Sequence, residues 1–365
     1  MGIIRKLSLL ISLLWGLAFS SCSQKLVVAQ VIRVTDTVYV TDTKIYKDTV
    51  YVSDTIVRYV NKFDNPVIRQ VTADPSVIRK DGIFYLYSTE SGEFPNIPIY
   101  KSIDLINWYF VDTAFNDRSR PSSIDGNLWA PDINCIKDKY VLYYAQSQWG
   151  GEWDCGIGVA VAEHPAGPFV DVGILFDSQG ISVRNSIDPF FINDFGKNYL
   201  FWGSHRGIYG IELSDDGLSV KEGGKARRIA GNGGEGAYIH KRGNFYYLFL
   251  SYGSCCSGVS STYNVRVGRS LSLFGPYLDR QGKAMLENNA GTTILRGNAF
   301  VAGPGHNAEI ITDDKGDDWL IYHGYLHEKP EMNRLIFLDR ILWEDGWPVL
   351  PEGAPSSSSE IPFFE

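Results

Sequence analysis

The sequence predicts an all-β protein that folds as a five-bladed β-propeller, and three repeated features carry this prediction. First, an acidic residue or a histidine opens a strand-like unit five times, at intervals of 58, 56, 47 and 71 residues. Second, an apolar run that ends on small or polar residues follows each of them. Third, alternating apolar residues precede a turn in the first four units. Several short strands per unit, repeated about every 40 to 60 residues, are typical of β-propellers.

The five opening residues have similar local settings: Asp74 in ADPSVI, Asp132 in APDINC, Asp188 in IDPFFI, Glu235 in EGAYIH and His306 in GHNAEI. The apolar runs lie at 82–89, 138–147, 197–204, 244–251 and 317–324. Together with the alternating segments and turn residues, they predict strands. The innermost strands of a propeller line its axis, so the opening residues are expected to converge at one end of it. A turn-capping role explains any single Asp before Pro. It does not explain why carboxylates recur where their mutual repulsion costs stability.

Composition limits the kind of partner. The chain has 365 residues, of which 44% are apolar, and the segment 65–352 is long enough for one large domain with a full core. The net charge is −8 and no cluster of Lys and Arg interrupts it. This charge argues against nucleic acid and anionic membrane surfaces and favours a neutral ligand. We expect a monomer.

The first 21 residues are interpreted as a signal peptide of the lipoprotein type. Arg5 and Lys6 precede an apolar stretch that ends at Phe19 and is too short to span a membrane. The following LAFSSCSQ resembles a bacterial lipoprotein signal, in which Cys22 becomes the lipidated N-terminus, although Phe19 departs from the usual aliphatic residue. The sequence therefore predicts export and a lipid anchor on the cell envelope, with an ordinary cleaved signal as the alternative.

Residues 22–64 are interpreted as a tether. TDTVYVTDT at 35–43 and KDTVYVSDT at 47–55 repeat with a period of 12, and neither glycine nor proline occurs between residues 23 and 62. So few residues cannot build a core of their own. A small self-pairing β element is the alternative. The short tail comprises residues 353–365, and we expect its serine-rich start at 355–359 to be unstructured.

Four cysteines remain besides Cys22: Cys135, Cys155, Cys255 and Cys256. They permit three fully paired connectivities, and the sequence does not choose among them. The spacing of these cysteines is not that of a zinc site.

Converging carboxyl groups can hydrolyse a glycosidic bond. One carboxylic acid donates a proton to the leaving oxygen while an ionised carboxylate activates water. A third carboxylate nearby disfavours ionisation of the acid and so raises its pKa. The repeat supplies at least three such groups.

An ordered set of segments resembles glycoside hydrolase family 43: ADPSVI, WAPDI, SIDPFF, EGAYIHKRGNFYYLFLS and GPGHN. The segment YLFLSYGSCCSGVSSTYNVRVGRSLSLFGPYLDRQG is similar to the endo-acting 1,5-α-L-arabinanases within that family. The resemblance extends from about residue 73 to residue 348. It implies hydrolysis of internal α-1,5 bonds of arabinan, a neutral plant polysaccharide, with inversion at the anomeric carbon. An exo-acting α-L-arabinofuranosidase or β-xylosidase of the same family is the alternative, and a non-catalytic carbohydrate-binding propeller is a third interpretation.

The resemblance also assigns roles to individual residues. Asp74 would be the general base, Glu235 the general acid, and Asp188 the third carboxylate that raises the pKa of the acid. Arg334 would reach the site. His306 would lie on the axis beneath the sugar, where relatives hold a calcium ion mostly through waters. A hydrogen-bonded core histidine is the alternative for His306.

The side-chain chemistry of three further residues suggests a role for each. Trp129 offers a flat apolar face for a furanose ring, with packing between blades as the alternative. Ser204 lies near a blade end, where it can hydrogen-bond to substrate. Asp132 has no catalytic role in the family pattern, and we interpret it as a structural acid that bonds neighbouring strands.

Overall fold

The computed structural model describes residues 43–46, 49–52 and 62–365. Strands β1 (Thr43–Tyr46) and β2 (Thr49–Val52) pair as an antiparallel hairpin, which belongs to a different unit of the chain from residues 62–365. This pairing agrees with the self-pairing alternative for part of the proposed tether. The proposed signal peptide and Cys22 lie outside the described residues. No helix in the described part of the chain is long and apolar enough to cross a membrane.

The second unit begins with the short strand β3 (Lys62–Asp64) and continues into five antiparallel sheets in chain order. Blade 1 consists of β4 (Ser76–Lys80), β5 (Ile83–Tyr87), β6 (Pro98–Ser102) and β7 (Tyr109–Thr113). Blade 2 consists of β8 (Asn127–Ile136), β9 (Lys139–Ser147), β10 (Gly156–Ala162) and β11 (Val170–Asp177), followed by the helix α1 (Ser178–Ile181). Blade 3 consists of β12 (Phe190–Asp194), β13 (Lys197–Trp202), β14 (Ile208–Glu212) and β15 (Arg227–Ala230).

Blade 4 consists of β16 (Gly234–Arg242), β17 (Phe245–Tyr252), β18 (Asn264–Ser270) and β19 (Thr292–Arg296), with a 3₁₀ turn at Gly258–Ser260. Blade 5 consists of β20 (Val301–Gly305), β21 (Ile311–Thr312), β22 (Asp318–Leu326), β23 (Leu335–Glu344) and β24 (Trp347–Val349). A 3₁₀ turn at Pro351–Gly353 and the strand β25 (Ser358–Glu360) follow. The first strands of blades 1, 2, 3 and 4 contact one another in sequence around the ring. The predicted five-bladed propeller is confirmed.

The second strand of each blade is buried on both faces. In β9 every residue after Lys139 is buried, and in β17 every residue after Phe245 is buried. Separate apolar clusters fill the spaces between neighbouring blades, as between blades 1 and 2 and between blades 2 and 3. A sheet that is covered on both faces needs a continuous apolar run rather than an alternating one. This requirement explains the apolar runs in the sequence.

The two ends of the propeller chain close the ring together. β3 pairs with β25, and the Asn65 side chain exchanges hydrogen bonds of 3.0 Å with the backbone N–H and carbonyl of Leu338 in blade 5. Further along, the Thr72 N–H donates to the Arg334 carbonyl at 2.9 Å. The expectation of an unstructured start to the tail is wrong, because β25 satisfies the backbone groups of β3. The segment Lys62–Asp64, assigned to the tether, likewise belongs to the propeller unit.

Of the four cysteines, only an adjacent pair is bonded. Cys255 and Cys256 form a disulfide, while Cys135 and Cys155 are free thiols. None of the three fully paired connectivities occurs.

Candidate active site

One residue in or beside each innermost strand adopts a left-handed backbone conformation. These residues are Asp74, Ala130, Asp188, Gly236 and His306, with φ of 52°, 41°, 57°, 57° and 45°. For residues other than glycine this conformation is strained, and such strain is concentrated at functional sites. Glu235 lies one position before the repeated residue, and Asp132 lies two positions after it. The prediction that Asp132 shares the repeat position is therefore wrong, because Ala130 occupies it.

Asp132 connects blades 2 and 3 below the repeated residues. Its Oδ2 accepts hydrogen bonds from the Phe191 N–H at 2.8 Å and from the Asn134 side chain at 2.7 Å. Glu309 connects blades 5 and 1 in the same way, because it accepts a hydrogen bond from the Val77 N–H at 2.7 Å. Burial raises the pKa of Asp132, and repulsion from Glu309 raises it further. Asp132 thus has the structural role that the sequence indicated.

The structure brings the predicted site residues together in one cavity of about 290 Å³. Six of the seven predicted residues line it: Asp74, Trp129, Asp188, Glu235, His306 and Arg334. Ser204 is the seventh, and its buried hydroxyl donates a hydrogen bond to Glu235. Three carboxyl groups, each nine-tenths or more buried, therefore converge on a single space.

Asp74 is the carboxylate with the most positive surroundings. Arg334 Nη1 lies 3.4 Å from both of its oxygens, and His306 Nδ1 lies 3.1 Å from Oδ1. The Thr89 hydroxyl donates to Oδ2 at 2.5 Å. Burial alone would raise the pKa of Asp74, but the charges of Arg334 and His306 hold it well below its usual value. Asp74 is consequently ionised at neutral pH, as a base must be.

Glu235 is surrounded by hydrogen-bond donors. Besides Ser204, the Tyr263 hydroxyl donates to Oε1 at 2.8 Å, and His205 Nε2 lies 3.1 Å from Oε2. Burial raises the pKa of Glu235, but the hydrogen bond and charge of His205 outweigh burial and lower it below its usual value. This is the reverse of the pKa shift that the sequence predicted. The physical reason is that a cationic group in direct contact outweighs the field of Asp188.

Asp188 is the carboxyl group without a directly bonded cation among the described residues. Its Oδ2 accepts a hydrogen bond from the Gly236 N–H at 3.2 Å. Burial raises the pKa of Asp188 to about 7, although His306 opposes this, and Glu235 and Asp74 add to it by repulsion. A Cβ atom at position 236 would lie 3.1 Å from the His306 ring, and this close approach together with the φ of 57° favours glycine there.

His306 lies among the carboxyl groups, and its geometry tests the expected calcium site. Burial lowers the pKa of His306, but Asp74 outweighs burial and raises it to about 9, so the imidazole is protonated at neutral pH. A protonated imidazole cannot bind a metal, and calcium takes six to eight oxygen ligands. The described residues contain no group of three or more His, Cys, Asp or Glu side chains placed to hold a metal. They do not fit a directly coordinated calcium ion, and a water-held ion stays a prediction.

Several residues of the site were not predicted from the sequence. Thr89, the last residue of the first apolar run, donates a hydrogen bond to Asp74 and accepts one from the Ala130 N–H at 2.8 Å. The buried Nδ1 atom of His323 accepts a hydrogen bond from the Asp74 N–H at 3.1 Å, and burial lowers the pKa of His323 to about 4. Tyr263 lies within the segment that resembles the endo-acting arabinanases but carries no local signal of its own. Contacts between blades place all three residues, so no single segment reveals them.

The cavity walls are partly apolar. Trp129 lines the cavity and also packs against Ala145, Cys155 and Ile187, so both roles weighed for it are compatible with its position. The disulfide of Cys255 and Cys256 forms another part of the wall. These surfaces suit the C–H faces of a sugar ring.

The cavity does not end at the three acids. It shares Trp149 with a neighbouring cavity of about 630 Å³ and shares Glu90 and Asn127 with another of about 300 Å³. The Trp149 side chain is 80% exposed. The site therefore adjoins further cavities on two sides.

Hydrolysis of a glycosidic bond requires an ionised carboxylate and a second carboxyl group that can act as an acid. Asp74 and Glu235 are two such groups in one partly apolar cavity. The fold and the site together define a glycoside hydrolase. The sequence profile of glycosyl hydrolases family 43 matches residues 63–348, and the chain belongs to this family.

Individual relatives agree with this assignment. An extracellular exo-α-(1→5)-L-arabinofuranosidase from Cellvibrio japonicus is 35% identical over 76% of this chain and 86% of the relative. An extracellular endo-α-(1→5)-L-arabinanase from Bacillus subtilis is 33% identical over 75% of this chain and 86% of the relative. The structure of Cellvibrio cellulosa α-L-arabinanase in complex with arabinohexaose superposes with a TM-score of 0.70 at 32% identity, covering 78% of this chain and 96% of that one.

The raised pKa of Asp188 makes stability depend on pH. The group titrates near pH 7 in the native state and at its ordinary 3.8 when unfolded, so its stabilising contribution is complete below 3.8 and is lost as the pH rises through 7. We predict that Asp188→Asn, which cannot ionise, is more stable than the wild type at about pH 8, by on the order of 2 kcal/mol. The gain should vanish near pH 4.

Denaturant unfolding at both pH values measures this difference. Asp112→Asn, on an exposed part of β7, is the matched control and should show no such pH dependence. An Asp188→Asn gain that is equal at both pH values would contradict the assignment.

Proposed function

We propose that this protein is an inverting endo-α-1,5-L-arabinanase. The observation that carries the proposal is the convergence of Asp74, Asp188 and Glu235 in one groove of a family 43 propeller. The similar Bacillus subtilis endo-arabinanase and the arabinohexaose complex of the Cellvibrio cellulosa arabinanase support arabinan as the substrate. A neutral polysaccharide also agrees with the net charge of −8.

In this proposal Asp74 is the general base. Its low pKa keeps it ionised, and it removes a proton from a water molecule that attacks the anomeric carbon. Glu235 is the general acid and donates a proton to the departing glycosidic oxygen. Because its pKa is about 7, Asp188 is mainly protonated below that pH, and in this form it can donate a hydrogen bond to the sugar without carrying a negative charge. Attack from the face opposite the leaving group inverts the anomeric centre.

If Asp74 is the base and Glu235 is the acid, the loss of either carboxyl group should slow the reaction. Asp74→Asn and Glu235→Gln should each lower kcat by about a hundredfold to ten-thousandfold, because each removes one proton transfer from the transition state. Initial rates on linear arabinan measure the loss. Proton NMR of the first products of the wild type should show the β anomer, inverted from the α linkage. Unchanged turnover in Glu235→Gln would refute the acid assignment.

The groove beyond the acids supports internal cleavage. A blind pocket accepts only a chain end, whereas this cavity adjoins a second cavity at Trp149 and a third at Glu90, which would take further sugar units of a long chain. An exo-acting enzyme is the second candidate, and the 35% identity with the Cellvibrio japonicus exo-α-(1→5)-L-arabinofuranosidase favours it.

Product analysis on debranched arabinan separates the two modes. Endo cleavage predicts a fast fall in viscosity and a mixture of oligosaccharides, while arabinose or a single short product from the start would show exo action. Trp149→Ala should raise KM for long oligosaccharides about tenfold through the loss of stacking area. Phe195→Ala, whose ring is 89% exposed and outside these cavities, is the matched control. Binding of arabinan without new chain ends would favour the carbohydrate-binding interpretation.

The enzyme is further proposed to be exported and held on the cell envelope by a lipid at Cys22. The names of the similar Cellvibrio japonicus and Bacillus subtilis proteins, both extracellular, support export. The apolar segment before Cys22 supports the anchor. We expect Cys22→Ser to move the protein from the membrane fraction to the soluble exported fraction. Equal partition of variant and wild type would contradict lipidation.

A further inference from the structure

His205 contacts the proposed acid, and the reaction described above does not use it. Its Nε2 atom lies 3.1 Å from Oε2 of Glu235. The His205 side chain is 48% exposed, whereas that of Glu235 is 9% exposed. His205 is therefore a titratable group that touches both the buried carboxyl and the solvent.

The backbone of His205 is fixed beside Glu235. Its N–H donates to the Gly234 carbonyl at 3.0 Å, and its carbonyl accepts from the Gly233 N–H at 3.1 Å. The residue has a φ of 54°, a conformation that is strained for histidine and that these paired bonds maintain. The loop after β13 is thus bonded to the segment that leads into β16. These bonds fix the Cα atom of His205 within reach of Glu235.

The charges around His205 favour one proton that is shared between His205 and Glu235. Glu235 faces it directly and Asp188 contributes from the start of blade 3, while the neighbouring Arg206 is paired with Glu152 at 2.7 Å. The hydrogen bond to Glu235 raises the pKa of His205 above its usual value, and the same contact lowers the pKa of Glu235. At neutral pH the two groups consequently hold one proton between them.

We propose that His205 is a positioning residue that stores the acid proton and delivers it to Glu235 from the solvent side. The inference rests on the proposed function and deepens it. The Nε2–H bond of His205 breaks and its proton moves to Oε2 of Glu235, which leaves a neutral imidazole and a protonated carboxyl group. The Glu235 O–H bond then breaks as this proton moves to the glycosidic oxygen, which also keeps the electron pair of the broken C–O bond. The neutral imidazole takes a proton from water, and Asp74 returns to solvent the proton that it removed from the attacking water.

His205→Gln keeps a hydrogen-bond donor but cannot store a proton. In this variant only Glu235 can hold the acid proton, and Glu235 loses it at a lower pH than the wild-type pair does. The alkaline limb of the kcat–pH profile should therefore move to lower pH by about one unit. One unit above the wild-type limb, kcat should be about tenfold lower than in the wild type, while KM changes less than about twofold. His205→Arg places a permanent cation beside Glu235, and its alkaline limb should lie lower still.

The experiment compares kcat against pH for the wild type and these variants on linear arabino-oligosaccharides. Arg206→Gln, in the same loop, is the matched control and should keep the wild-type profile. A substrate with a 2,4-dinitrophenolate leaving group needs no proton, so its alkaline rates should be the same in His205→Gln and in the wild type. Thermal melts establish that each variant is folded.

Two results would overturn the inference. One is an alkaline limb that coincides in His205→Gln and the wild type, and the other is a uniform loss of kcat at every pH, as a purely structural role would give. Failure of the wild type to hydrolyse arabinan would instead refute the proposed function, so the two failures are distinguishable.

Discussion

Closure of the ring is the constraint on which the rest of the structure depends. The segment before blade 1 is bonded to β23 of blade 5 through Asn65 and through the contact of Thr72 with the Arg334 carbonyl. Two residues later the chain reaches Asp74, whose cationic partners Arg334 and His306 both belong to the blade 5 region. The low pKa of Asp74 is therefore a product of ring closure. A propeller open at this point would leave a buried carboxylate without a counter-charge, at a cost of several kcal/mol.

The three acids of the groove differ because the propeller gives each a different neighbour. Asp74 has a permanent cation, Glu235 has a titratable one, and Asp188 has only a backbone N–H among its direct partners. Burial acts on all three in the same direction, so their protonation states are set by these neighbours. Pairs of carboxyl groups whose environments separate their pKa values are the usual basis for dividing acid and base roles. Here the separation comes from contacts between blades.

The sequence predicted the architecture well because the physical requirement behind it is local. Each second strand is covered on both faces, so each blade carries an apolar run that can be recognised without knowing the fold. The alignment of Asp132 with Asp74 failed because the repeated feature is a left-handed backbone position, which Ala130 holds without any polar side chain. The lowered pKa of Glu235 could not be foreseen either. It depends on His205, which lies 30 positions away in the chain and in another blade.

The pairing of β3 with β25 also has a consequence for how the protein is made. During translation the ribosome produces the first four blades before His306 and Arg334 exist. A nascent chain at that stage carries Asp74 and Glu235 but lacks the two cationic side chains that contact Asp74 in the closed ring. The complete set of contacts around Asp74 therefore forms only after the last blade has been synthesised.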